Sequence, residues 1–192
     1  MRKRFEAASV AICGLGGLGS NIAVALARAG VGRLHLIDFD RVELSNINRQ
    51  QYAPDQIGLY KTEALADTIG RIAPCVRITT DTVRMTGDNA GGLLQDEDII
   101  CEAFDSAEDK AMLVDHVLAR MPDKYIVAGS GMAGLSSANT IKTRKITDRF
   151  YLCGDGVSDI ADGMALFAPR VMICAAHQAQ MVLRIIAGKF DA

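Results

Sequence analysis

The chain has 192 residues, a length at which one domain buries roughly 70% of the surface its unfolded chain exposes, so no disulfide or structural metal is needed to hold a core. Hydrophobic residues make up 49% and charged residues 23%, and the 21 basic against 23 acidic residues give no footprint for nucleic acid. No apolar run reaches membrane-spanning length, the basic start MRKRFEAASVAICG has no signal-peptide boundary, and five cysteines without a C-x-x-C pair point to a reducing cytoplasm.

VAIC at residues 10–13 reads as a buried strand, GLGGLGS turns the chain into a helix over 20–29, and RLHLID gives a second strand over 33–38. Helical spacing of Ala64, Leu65, Thr68, Ile69 and Ile72 predicts a helix over 61–72, stopped by Pro74 and followed by a strand over 76–80. DIICEAF from Asp98 reads as a buried strand, residues 110–121 as an amphipathic helix, and KYIVAG from Lys124 as another strand. This alternation predicts an α/β, Rossmann-like, mostly parallel sheet with helices on both faces, in one domain spanning 1–192. Beyond Gly129 the pattern changes. SSANTIKTRKI over 136–146 alternates like an antiparallel extension of the sheet, residues 154–167 read as a glycine- and aspartate-rich loop and the least ordered segment, and Pro169 opens a helix to about residue 187. That helix carries two apolar stripes, one through Met172, Ala175 and Val182, the other through Val171, Cys174, Met181 and Ile185, interrupted by Gln178. It needs cover on more than one side, from its own chain or from a second subunit, and a homodimer is expected.

Gly14, Gly16 and Gly19 form G-x-G-x-x-G between a strand and a helix, with Gly17 in the same loop, a setting in which backbone N–H groups meet phosphate oxygens. Gly129, Gly131 and Gly134 repeat the spacing, but strand-like alternation follows, so that match reads as a tight loop. Asp38 ends the second strand roughly 20 residues further on, where a carboxylate accepts ribose hydroxyls. NAD and ATP fit equally well to this point. The stretch LIDFDRVELSNINRQQY over 36–52 separates them. A dinucleotide needs nothing from Asp40, Asn46 and Arg49, whereas a triphosphate needs cations and amide donors, which Asn46, Arg49 and Lys61 supply. Asp105, after the DIICEAF strand, lies at the same carboxyl edge of the sheet as Gly14 and Asp38 and suits magnesium.

GLGGLGSNIAVALARAGVGRLHLIDFDRVELSNINRQQ, then Lys61, then CEAFDSAEDK, resembles the ThiF and MoeB adenylyltransferases, relatives of the ubiquitin-activating enzymes, and FAPRVMICAAHQAQ resembles a short ThiF-like branch. The resemblance implies Mg-ATP-dependent adenylylation of the C-terminal Gly-Gly carboxylate of a ubiquitin-like sulfur carrier protein by a homodimer, with pyrophosphate released. The carrier would be ThiS-type, in thiamine biosynthesis, or MoaD-like. By the same resemblance Asp38 holds ribose, Asn46, Arg49 and Lys61 hold the phosphates, and Asp105 holds magnesium. The paired C-x-x-C motifs of longer relatives are missing, so no zinc is expected. The family's arginine-bearing upstream segment is represented at most by Arg2 or Arg4. Cys153, read as loop-like beside Gly154 and Asp155, falls near where relatives place a sulfur-accepting cysteine and is a candidate for sulfur transfer, although neighbouring aspartates raise a thiol's pKa. His35, His116 and His177 read as packed or surface residues, and Asp155, Asp159 and Asp162 as a solvated run. Rival readings are an NAD(P)-dependent Rossmann oxidoreductase, a non-catalytic nucleotide-gated binding module and, within the family, a dehydratase acting on a modified tRNA base.

Overall fold

Short aliphatic runs make the strands β1 (Ser9–Cys13), β2 (Arg33–Ile37), β4 (Ile99–Glu102) and β5 (Tyr125–Gly129), the more polar RITTD makes β3 (Arg77–Asp81), and two more, β6 (Lys142–Lys145) and β7 (Phe150–Gly154), come further on. The computed structural model describes residues 1–192, the side chain of Ala161 excepted. Among the described residues the sheet has seven strands in the order β3-β2-β1-β4-β5-β7-β6, every neighbouring pair being parallel except β6 with β7. The helices are α1 (Arg2–Ala7), α2 (Gly17–Arg28), α3 (Lys61–Ile72), α4 (Ala90–Leu93), α5 (Ala107–Arg120) and α6 (Ala168–Ile186). None of them is long and apolar enough to cross a membrane.

Both faces of the central strands are buried, so successive residues serve opposite cores. Val10, Ile12, Leu34, Leu36, Cys101 and Val127 pack with Ile22 and Leu26 of α2, Leu65 and Ile69 of α3, and Val182 and Ile185 of α6. Ala11, Cys13, Ile100 and Ile126 turn the other way, onto Leu94 and onto Leu113 and Val117 of α5. The chain runs outward from β1 through β2 to β3, then crosses back to lay β4 on the other side of β1. The crevice between β1 and β4 is therefore the switch point, where open α/β sheets bind ligands at their carboxyl edge.

Several boundaries depart from expectation for local reasons. Helix α2 starts at Gly17, not residue 20, because Gly16 already stands at its N-cap and the glycines join its first turn. Helix α5 starts at Ala107, not 110, because the Ser106 hydroxyl accepts the Asp109 N–H at 3.2 Å. The 136–146 stretch yields only the four residues of β6, preceded by a single 3-10 turn at Ala138–Thr140. β7 and α1 have no counterpart in the sequence reading. Residues 154–167 are more organised than expected: Asp155 accepts from the N–H groups of Val157 and Ser158, both at 2.9 Å, and a 3-10 turn covers Ile160–Asp162. The second glycine pattern leads into no helix, as its alternating sequel implied.

Helix α6 resolves its own puzzle largely within the chain. Residues of both stripes, including Val171, Cys174, Ala175, Met181 and Val182, are buried in the core that α6 shares with α2 and the sheet, while Met172 is 49% exposed. Gln178 interrupts the stripe because its amide donates to the carbonyls of Glu102 and Val127, at 3.0 and 3.1 Å, tying the helix to the end of β4 and the middle of β5.

Candidate functional site

At the end of β1, Gly14 has φ +90°, and a side chain there would meet the Ala103 carbonyl oxygen at 2.8 Å, so only glycine lets the turn pass β4. A side chain at Gly19 would collide with the Gly14 carbonyl, so α2 can begin this close to the turn only with glycine there. The same position on Gly16 meets nothing nearer than Gln50 Nε2 at 3.8 Å, leaving that side of the turn open. The first N–H groups of a helix have no intrahelical partners, so the start of α2 offers donors toward this opening.

Asp38 follows β2 and is buried. Its Oδ2 accepts the Leu15 N–H at 2.6 Å and its Oδ1 the Asp40 N–H at 2.8 Å, so this carboxylate locks the glycine turn to the loop after β2. Burial raises its pKa, against the pull of Lys61 and the two amides. Lys61, the first residue of α3, lies 2.7 Å from Asp40 Oδ2 and 3.9 Å from Asp38 Oδ2. It is only 6% exposed, because its ammonium sits between these two carboxylates and its own N–H donates to the Asp40 carbonyl.

The loop carrying Asn46 and Arg49 is pinned to α2. Asn21 Nδ2 donates to the carbonyls of Gly17 and Arg49, Gln51 Nε2 donates to Asn21 Oδ1, and the Gln51 N–H donates to the Ser20 hydroxyl. The Arg49 stem passes 3.5 Å from where a Gly17 side chain would stand. Its guanidinium donates to the side-chain oxygens of Asn46 and Asn48, at 3.0 and 3.1 Å, and to no carboxylate. A cation held by neutral amides keeps its full charge for a ligand. Asp105 is exposed at the end of β4, two residues beyond the Ala103 carbonyl that faces Gly14. The structure thus brings Gly14, Gly16, Gly17, Gly19, Asp38, Asp40, Asn46, Arg49 and Lys61 to one edge of the sheet, with Asp105 across the switch point. An open glycine turn, amide-held arginine, buried lysine and free carboxylate suit a magnesium-bound triphosphate, in which Asp105 would contribute one ligand and phosphate oxygens and water the rest.

Three features escaped sequence reading. Gln50, beside Gly16, has a buried Oε1 without a partner among the described residues; it lies inside the SNINRQQ stretch and could have been nominated with it. Glu102, 1% exposed, accepts from Phe104 N–H at 2.7 Å and from Lys110 at 3.1 Å, while Lys110 also donates to the Gly129 carbonyl at 3.1 Å. This buried pair braces the turn that carries Asp105. Burial pushes the Glu102 carboxyl up, against Lys110 and the Phe104 amide. Arg170, at the start of α6, pairs with Asp155 and donates to the carbonyls of Ala133, Ser136 and Ser137, closing the loops after β5 and β7. Asp155 is therefore no part of a solvated run.

Other expectations are corrected. Cys153 lies on β7, fully buried, not in a loop, and burial pushes its thiol up to about 11, against Thr143 and Arg144. The exposed cysteine is Cys75, between α3 and β3. His35 is packed, as expected, but its two ring nitrogens meet Glu97 Oε1 at 3.0 Å and Asp81 Oδ2 at 2.8 Å. Burial pulls its pKa down and those contacts outweigh it, so the net direction is up. Arg2 pairs with Glu6 and Arg4 donates to the Ala187 carbonyl; both sit on α1, which precedes β1 at the opposite edge of the sheet from Asp38.

Strand order, switch-point glycine turn and strand-end aspartate define a Rossmann-like α/β domain. The chain belongs to the ThiF family, whose pattern matches residues 1–192. It is 31% identical over 194 residues to the adenylyltransferase and sulfurtransferase MOCS3 of Culex quinquefasciatus, covering 96% of this chain and 43% of that protein. It is 48% identical over 84 residues to ubiquitin-like modifier-activating enzyme 5 of Aedes aegypti, covering 44% of this chain and 21% of the relative. The chain thus spans less than half the length of these curated relatives. Its fold matches E. coli tRNA N6-threonylcarbamoyladenosine dehydratase TcdA, solved in complex with ATP, with TM-score 0.87 at 24% identity, covering 97% of this chain and 88% of the other.

Proposed function

We propose that this chain uses Mg-ATP to adenylylate the C-terminal Gly-Gly carboxylate of a ubiquitin-like sulfur carrier, ThiS-type in thiamine biosynthesis, releasing pyrophosphate. The observation that carries this reading is Arg49, held by neutral amides beside the glycine turn and on the same edge as Lys61 and Asp105. Cations so placed stabilise charge developing on a leaving pyrophosphate as the carrier carboxylate attacks the α-phosphorus. Asp38 fixes the turn and accepts ribose. Asp105 would hold magnesium, which supplies further charge neutralisation when bound. No protein nucleophile is required, because positioning and preorganised charge are enough. The homologous adenylyltransferase and sulfurtransferase MOCS3 supports adenylyl transfer, and ubiquitin-like modifier-activating enzyme 5 supports a ubiquitin-like partner. The rival oxidoreductase reading leaves Arg49, Lys61 and Asp105 without a role.

The test is ATP–pyrophosphate exchange by the purified chain with a thiamine-type and a molybdopterin-type carrier. Exchange that requires the thiamine-type carrier and its terminal Gly-Gly is the expected result; ADP and phosphate in place of AMP and pyrophosphate contradicts the reaction class. We further propose a cytoplasmic homodimer, supported by Met164, Phe167 and Met172, each at least 40% exposed at or just before the start of α6. Light scattering should give twice the 20.5 kDa of one chain. An active species of one chain's mass would overturn it.

A further inference from the structure

A recess of about 970 Å³ opens at the amino edge of the sheet, opposite the switch point, and Arg28, Arg33 and Arg77 line it, with Arg2, Phe5 and Cys75. We propose that it is a second anion site, which binds a di- or triphosphate group through Arg28, Arg33 and Arg77. The proposal is independent of the adenylylation reading.

Arg33 and Arg77 are directly opposite one another on the parallel pair β2 and β3, so their side chains leave the same face of strands about 4.8 Å apart. Like charges in that position destabilise a sheet. Proteins ordinarily relieve such a pair with an acidic neighbour, yet the exposed guanidinium groups of Arg28, Arg33 and Arg77 make no hydrogen bond or ion pair among the described residues. The recess has one acidic lining residue, Glu6, and it is already committed to Arg2 at 2.7 Å. Helices α2 and α3 end here, at Ala29 and Ala73, and their carbonyl termini each present about −0.5 of a charge. Two such termini offset about one of the three guanidinium charges, which leaves roughly two unmatched. That excess is local, because the whole chain carries a net charge of −2.

Guanidinium groups pair with phosphate oxygens in a fork that ammonium groups cannot reproduce, and three of them around one recess match a polyphosphate better than a single phosphate. The volume lies within the range of small-ligand pockets. The phosphates could belong to inorganic pyrophosphate or triphosphate, or to a nucleotide whose nonpolar portion rests on Phe5 and the aliphatic wall.

Cys75 supplies a local readout, since it lines the recess and the other four cysteines are buried. Alkylation of Cys75 by neutral iodoacetamide is followed by mass spectrometry, with inorganic triphosphate, ATP or adenosine added. Triphosphate should slow the reaction about tenfold at ten times its dissociation constant, because only the free form reacts. Arg49→Ala should keep that protection, and Arg33→Ser/Arg77→Ser should lose it while melting no lower than the parent. Stronger protection by ATP than by triphosphate assigns the site to a nucleotide; equal protection assigns it to the phosphates alone. An unchanged rate with both triphosphate and ATP overturns the proposal, as does protection that survives the double substitution. A lower melting temperature of the double variant would overturn it too, by making the arginines structural.

Discussion

Around the β1–β4 switch point at the carboxyl edge, Arg49 and Asp105 keep charges that no opposite charge of the protein neutralises, while on the β5–β7 side Asp155 and Arg170 are sealed together, each side chain 5% exposed. The two regions have similar raw materials, an acid and a guanidinium near loops that close the sheet. They differ in whether the protein has already spent them on itself. A guanidinium bonded to amides can turn to a phosphate at little cost. One bonded to a buried carboxylate and to loop carbonyls cannot leave without stranding that carboxylate's charge in the interior. Lys61 falls between these extremes, buried but next to the site.

The largest effect should come from breaking the sealed pair. Arg170→Ala leaves the buried Asp155 without its counter-charge and the carbonyls of Ala133 and Ser136 without this donor, and should cost about 3–5 kcal/mol in denaturant unfolding; a loss below about 1 kcal/mol would place the pair with surface salt bridges. Arg49→Ala should instead reduce turnover by about 10²-fold to 10³-fold, roughly 2.7–4 kcal/mol of transition-state stabilisation. Its stability should stay within about 0.5 kcal/mol of the parent. Lys61→Ala should lose activity comparably and stability as well, since Asp38 and Asp40 lose their shared cation. Equal stability of the two variants would contradict the burial of Lys61.

A pH series sharpens the comparison further. Burial raises the Asp155 carboxyl, but the amides of Ser158 and Val157 and then Arg170 outweigh it and hold it down to about 2. A depressed carboxyl binds its proton more tightly in the unfolded chain, so its contribution is present above the unfolded value of about 3.9 and is lost as pH falls from there to the folded value. His35 works in the other direction. Its folded pKa is raised, so its contribution is complete below about 6.5 and is lost as pH rises through the folded value. Urea midpoints across pH should therefore fall at both ends, with His35→Gln flattening the alkaline limb. An alkaline limb unchanged in that variant would remove the histidine's role. The smallest effect belongs to a cap: Ser106→Ala should cost about 1 kcal/mol and is read from the same unfolding curves.

Strands β1, β2, β4 and β5 were legible because they are short apolar runs buried on both faces, β3 because it follows the helix stop at Pro74, and the glycine turn with Asp38 because it is a local pattern. The loop of residues 36–52 was legible for a different reason: its chemistry exceeds what a connection needs. β7 was not, since FYLCG follows a polar turn and is made a strand by β5 and β6, which lie far off in sequence or run antiparallel. Cys153 was misplaced with it. Arg170 and Asp155 were illegible because their partners come from two loops far from α6 in sequence or from the turn itself, and an aspartate in a glycine-rich segment looks the same whether water or a guanidinium faces it. The burial of Lys61 follows from Asp38 and Asp40 converging on one ammonium, which spacing does not reveal.

The central claim is that the exposed charges of the carboxyl edge serve transfer of the adenylyl group to a carrier carboxylate. ATP–pyrophosphate exchange measured with an intact thiamine-type carrier and with one lacking its terminal Gly-Gly, for the parent and for Arg49→Ala, tests it most directly. The account predicts exchange with the intact carrier alone, reduced about 10²-fold or more in the folded Arg49→Ala variant. Exchange at an undiminished rate in that variant, or none with the intact carrier while ADP accumulates, would contradict it.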